Sequence, residues 1–207
     1  MRFEKLKCRP GGANYALAQL GDDMSLELNF LAHGLDKILR EKGISYVVDT
    51  VACYNSLLIE YDPNKISFYD LEKEVSSLSK TLGSSDSLII NSRLVYLPTM
   101  YLDPWTRNCQ DEYFKLFGET REYDAELIAR INGLSDVHQL VRVHSGSEYW
   151  AVTVGGLPGL PLLRPLDPRC RLSAPKYNPP RTWTTLGSVA LGGASSAIYT
   201  LPASGGY

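Results

Sequence analysis

Two stretches of helical period, separated by a pair of β-rich runs, dominate the first hundred residues and restrict the folds open to this chain. After a strand-like run at residues 15–20, Leu28, Leu31, Leu35, Ile38 and Leu39 recur at helical spacing among charged residues, the pattern of an amphipathic helix. Asp22, Asp23 and Ser25 offer N-caps, and Gly43 stands where a left-handed C-cap is favoured. Residues 46–53 and 56–61, parted by Tyr54 and Asn55 and followed by Asp62-Pro63-Asn64, predict a hairpin. Ser67, facing Asp70 in a capping-box arrangement, opens a second helix with Phe68, Leu71, Val75, Leu78 and Leu82 on one face. A last strand is expected at residues 94–97. The order strand, helix, strand, strand, helix, strand is the split βαβ or ferredoxin-like pattern, so a first subdomain is expected over residues 1–98.

Asp103-Pro104 combines an N-cap with a first-turn proline and predicts a helix over 105–117, followed by shorter helices at 124–131 and 136–143. Residues 99–148 therefore read as a helical connection. From residue 149 onward glycine, proline and β-branched residues dominate, and the runs 150–154, 188–191 and 197–201 predict strands, with residues 192–196 as a turn. The fold class is α+β, with an all-β region over 149–207.

With 207 residues, 44% of them hydrophobic, the chain can bury one large core or two small ones. Its 21 basic and 23 acidic residues are intermixed, leaving a net charge of -2 and no like-charge run that would mark a nucleic-acid or anionic-membrane surface. The first nine residues lack the apolar stretch of a secretory signal, and no segment reaches the ~18 apolar residues of a membrane span, so a soluble cytoplasmic protein is expected. Cys8, Cys53, Cys109 and Cys170 are widely spaced and without histidine partners, which predicts free thiols and neither a zinc site nor a disulfide framework.

Two segments hold candidate chemistry. Gly155-Gly156-Leu157-Pro158-Gly159-Leu160-Pro161 follows a predicted strand and is either a tight barrel corner or a place where backbone approaches a ligand closely. It matches neither a dinucleotide nor a Walker motif. Lys176-Tyr177-Asn178-Pro179-Pro180-Arg181-Thr182-Trp183-Thr184 is richer in polar function. Asn178 offers an acceptor and donors suited to an amide or urea-like molecule, and Lys176 and Arg181 offer positive charge for a carboxylate or a developing oxyanion. The competing reading is a solvated loop with Trp183 packed down. His33, His138 and His144 carry no triad pattern and read as surface or helix-end histidines. The Gly-x-Ser-x-Gly elbow is absent as well.

Taken in order, Arg9-Pro10-Gly11-Gly12, the run from Ser56 to Pro63, Asp103-Pro104-Trp105, Ala129-Arg130-Ile131-Asn132-Gly133-Leu134, Pro165-Leu166-Asp167-Pro168-Arg169, the Lys176 to Thr184 stretch and the closing Gly205-Gly206-Tyr207 resemble the first half of the urea carboxylase carboxyltransferase domain. That family is also called allophanate hydrolase subunit 1, and it includes the B component of 5-oxoprolinase and the sporulation kinase inhibitor. The resemblance implies a ferredoxin-like subdomain followed by a cyclophilin-like β-barrel. It implies transfer of a carboxyl group from carboxybiotin to urea or a related amide. The biotin would be carried by a partner and not by this chain, which has no Met-Lys-Met attachment motif. A second carboxyltransferase half-domain and a biotin carrier are the implied partners, and a homo-oligomer stays open. The implied substrate-binding set is Lys176, Asn178, Arg181, Thr182 and Tyr199, with Gly155, Gly156, Gly205 and Gly206 in backbone loops beside it. Catalytic residues are not assigned and no metal is expected. Ala203-Ser204-Gly205-Gly206-Tyr207 stands where the family pattern reads Gly-Pro-Gly-Gly-Tyr, and further strands are expected beyond it, so the barrel is expected to be incomplete within these residues. Two alternatives remain: a repurposed pocket acting on another small molecule without biotin, and a non-catalytic regulatory module.

Overall fold

The structure, a computed structural model, describes residues 1–118 and 121–205. The chain separates into two compact units, Met1–Leu94 and Val95–Tyr207.

The first unit runs β1 (Arg2–Pro10), β2 (Tyr15–Gly21), α1 (Leu26–Lys42), β3 (Val47–Cys53), β4 (Ser56–Tyr61) and α2 (Phe68–Lys80). Its antiparallel sheet has the order β1-β2-β4-β3. The predicted caps define α1: the Ser25 hydroxyl accepts from the Leu28 amide, and Gly43 closes the helix at φ 57°. Ser67 caps α2 in the same way through the Asp70 amide. Strand alternation puts Ala16, Ala18 and Leu20 of β2 and Leu57, Ile59 and Tyr61 of β4 on the inner face. There they meet Leu28, Leu31, Leu35 and Leu39 of α1 and Leu71 and Val75 of α2. Burying each of these aliphatic side chains is worth about 1.5–3 kcal/mol.

One predicted strand is absent and another takes its place. Residues 94–97 form no strand; they are exposed and lie in an irregular run from Leu88 to Asp103. The edge beside β2 is occupied instead by β1, which comes from the beginning of the chain. Its register shifts between Arg2 and Lys7, so its inward positions do not keep a single alternation and the strand signal is blurred in the sequence.

The second unit contains α3 (Pro104–Phe117), α4 (Asp124–Ile131), α5 (Val137–Ser145), β5 (Tyr149–Val154), β6 (Pro161–Pro165), β7 (Arg181–Thr184), β8 (Val189–Gly192), β9 (Ser195–Ile198) and β10 (Ala203–Gly205). One antiparallel sheet has the order β5-β6-β9-β8, and β7 pairs with β10 in a second. Strand β9 starts earlier than the sequence pattern suggests, at Ser195, because Gly192 already pairs with it and the turn is only Gly193-Ala194. Strands β6, β7 and β10 have no clear sequence signal: β6 is bracketed by prolines, and the others are three or four residues long. Ile128, Ala129, Leu140, Leu172 and Ala174 form the packed core under α4 and α5. Among the described residues no helix is long and apolar enough to cross a membrane.

The two competing strand candidates make a testable pair. Leu6→Ala removes a buried β1 side chain and should cost about 2–4 kcal/mol in urea unfolding, whereas Val95→Asp, on an exposed segment, should cost under about 0.5 kcal/mol.

Candidate functional site

The polar segment around Asn178 is held from below by a buried carboxylate. Asp124 opens α4, and its own backbone N–H donates to Gln110 Oε1 of α3 at 2.7 Å. Tyr177 donates its hydroxyl to Asp124 Oδ1. The Arg181 guanidinium lies 3.6 Å from Asp124 Oδ2, and both side chains are 9% exposed. The same guanidinium sits over the Tyr177 ring, 4.9 Å from its centroid, and Tyr113 of α3 meets that ring edge-on at 5.1 Å. Burial raises the Asp124 pKa, opposed by the Tyr177 hydrogen bond and the Arg181 charge.

Two further donors fix the backbone of the segment. Tyr113 Oη donates to the Pro179 carbonyl, and both terminal nitrogens of Arg121 reach the Asn178 carbonyl at 3.3 Å. The Asn178-Pro179 bond is cis. Tyr177 and Arg181 thus face inward as anchors, while Lys176, Asn178, Thr182 and Trp183 are exposed. Trp183 does not pack down; it is 52% exposed. An open cleft of about 260 Å³ borders the segment, lined by Arg121, Glu122, Leu127, Arg130 and Tyr177. Within it Arg130 grips Glu122 with two N–H groups, at 2.8 and 3.0 Å.

The β7–β10 pairing brings Arg181 opposite Gly205. A Cβ at Gly205 would collide with Thr184 Oγ1 and Tyr199 Oη, so this position has room only for glycine. The Tyr199 hydroxyl donates to the Ser204 carbonyl at 3.4 Å, and the buried Thr184 Oγ1 has no hydrogen-bond partner among the described residues. Arg181, Tyr199 and Gly205 of the predicted set therefore come together. Gly155 and Gly156 lie in the β5–β6 hairpin loop, where Gly155 N–H donates to Leu160 O at 3.0 Å and Gly156 takes φ 80°. Gly206 lies outside the described residues.

Sequence reasoning missed two groups. Asp124 reads only as a helix-start acid, and nothing local signals that Tyr177 and Arg181 converge on it. His144, read as a helix-end histidine, is partly buried: Nδ1 is 2.6 Å from Tyr101 Oη and Nε2 is 3.1 Å from Ser196 Oγ. Its spacing from Leu140, one helical turn earlier on the buried face, is the signal that could have found it. All four cysteines are free and half-buried. Among the described residues no cluster of three or more His, Cys, Asp or Glu side chains could hold a metal ion.

A mixed α/β chain with antiparallel sheets and a polar segment clamped on a buried carboxylate defines the class. The particular family follows from comparison: the chain matches the carboxyltransferase domain, subdomain C and D, over residues 6–207, and it belongs to that family. It is 27% identical to the urea amidolyase of Saccharomyces cerevisiae over 98% of its own length and 11% of the relative's. It is 23% identical to the B component of 5-oxoprolinase from Bacillus subtilis, covering 95% of this chain and 77% of that protein. The crystal structure of Kluyveromyces lactis urea carboxylase superposes with a TM-score of 0.83 at 25% identity, over 100% of this chain and 19% of that one. This chain thus spans about a tenth of the curated amidolyase.

The clamp predicts a specific weakness. Asp124→Ala strands the Arg181 charge and should cost about 3–5 kcal/mol in urea unfolding of the second unit. Gly205→Ala should cost about 1–3 kcal/mol by overpacking, read in the same assay.

Proposed function

We propose that this chain is a carboxyltransferase half-domain that works with a second half-domain to move a carboxyl group onto urea or a related amide. The carboxyl donor is carboxybiotin, presented by a separate biotin carrier. The observation that carries this reading is the exposed Asn178 amide on a segment whose two neighbouring carbonyls are held by Tyr113 and Arg121. A rigid backbone under an exposed amide fits recognition of a small, neutral, planar molecule at low entropic cost.

On this reading Asn178 Oδ1 accepts from a urea N–H and Nδ2 donates to the urea oxygen, which aims the other nitrogen at the donor carboxyl. Lys176, exposed beside it, supplies positive charge for the carboxylate that is transferred. Arg181 is turned inward on Asp124 and serves as a positioning residue. We assign Thr182, Tyr199, Gly155, Gly156 and Gly205 to the same proposed substrate-binding set. When bound, carboxybiotin supplies an activated one-carbon unit; an exposed amide and ammonium are donors that suit its carboxylate.

We read residues 1–98 as a ferredoxin-like subdomain in a permuted form, in which the N-terminal strand stands where the last strand of the usual order would be. Residues 99–148 are its helical connection to a cyclophilin-like barrel region over 149–207. A cytoplasmic setting fits this assignment.

The test is urea-dependent loss of the carboxyl group from free carboxybiotin, with this chain reconstituted with its partner half-domain. Transfer should require urea, and Asn178→Ala should lower kcat/KM for urea by about tenfold to a hundredfold, the loss of one to two good hydrogen bonds. Carboxyl loss that ignores urea, or an Asn178→Ala variant with unchanged kcat/KM, would contradict the assignment.

A further inference from the structure

In the first unit α1 and α2 pack on the inner face of the sheet, and the outer face has a pattern of its own. The pairing registers set its side chains in rows across the four strands. The central row runs Arg9 of β1, Leu17 of β2, Leu58 of β4 and Val51 of β3. An antiparallel sheet that shows one face to water carries polar side chains there. Here Leu58, on an interior strand, is 36% exposed, and Val51 beside it is 43% exposed.

The charges on this face are also unbalanced. In the row next to the apolar one, Tyr15, Glu60 and Asp49 stand side by side. Two carboxylates directly opposite each other on adjacent strands repel, so the pair calls for cations. Asp49 has one within the chain, Arg40 at 3.1 Å. Among the described residues Glu60 meets only the neutral Asn14 amide, at 3.4 Å. At the β1 edge Arg9 is exposed and has neither a hydrogen bond nor an ion pair among the described residues. One face thus holds an unanswered cation, an unanswered anion and an apolar row between them.

We propose that this face is a self-association surface, on which a second copy of the chain packs face to face about a two-fold axis running along the strands.

Such an axis exchanges β1 with β3 and β2 with β4. Leu17 of each copy then lies over Leu58 of the other, so the apolar rows cover one another. Arg9 comes over Val51 of the second copy, with Glu60 of that copy one strand and one row away, a diagonal step that a long guanidinium side chain spans. Symmetry makes the contact twice, and each unmatched charge is answered. A two-fold axis laid across the strands would stack Arg9 on Arg9, so the charges select the first arrangement. Four strands about 4.8 Å apart and three rows about 6.8 Å apart make a patch roughly 15–20 Å on a side. That is the low end of specific interfaces and suits a reversible dimer with a Kd of about 1–100 μM.

Sedimentation equilibrium of the full chain from about 1 to about 500 μM tests the proposal, since this range brackets the expected Kd. A monomer–dimer equilibrium is expected. Leu58→Asp, at an exposed position that leaves the urea unfolding midpoint unchanged, should raise Kd by about a hundredfold or more by placing a bare charge in the apolar row. Arg9→Glu should raise it by about tenfold or more, because a carboxylate then faces Glu60 of the second copy. The double change Arg9→Glu with Glu60→Arg restores opposite charges across the axis and should recover most of the lost affinity. A chain that stays monomeric throughout overturns the proposal, even where Leu58→Asp releases a different protein from this face. So does a dimer that survives Leu58→Asp unchanged, or one weakened by Arg9→Glu that the double change fails to restore.

Discussion

A carboxylate taken out of water must be answered by charge or hydrogen bonds, and the answer to Asp124 organises the second unit. Tyr177 donates to one oxygen and Arg181 approaches the other, so a helix start, a loop and a strand start are drawn to a single buried point. Such a pair adds little net stability compared with apolar packing, because desolvation offsets most of its attraction. Its value is specificity of geometry. Once Tyr177 and Arg181 are committed inward, the residues between them have their path fixed, and Tyr113 and Arg121 take the Pro179 and Asn178 carbonyls.

The first unit depends on a different constraint, the closure of one sheet face by two amphipathic helices. Every apolar position of α1 named from its spacing, apart from the half-buried Ile38, is fully buried against β2 and β4. The opposite outcome at the sheet edge shows the limit of local reasoning. Residues 94–97 have the composition of a strand, yet an edge has one vacancy and β1 fills it. Propensity states what a segment can do, and the competition between segments is settled by pairing partners distant in sequence.

The same division applies to the candidate site. The Lys176 to Thr184 stretch is visible in the sequence because polar groups and prolines crowd into it, and the family match over residues 6–207 agrees with the reading drawn from those motifs. Which of its side chains face inward is not visible there. Arg181 offers the same guanidinium whether it meets a ligand or Asp124, more than fifty positions earlier, and only the fold distinguishes them. His144 differs: its helical spacing from Leu140 marks a buried face, but its partners Tyr101 and Ser196 come from elements that no local pattern joins.

The proposed function rests on Asp124 fixing, through Tyr177 and Arg181, the segment that bears Asn178, and a double-mutant cycle on KM for urea tests that proposal most directly. With Asp124→Asn and Asn178→Ala made singly and together in the reconstituted enzyme, a coupling of about 1–3 kcal/mol is predicted, with little further loss when the second change is added to the first. Strictly additive losses would mean that the two residues act independently, and would contradict the claim.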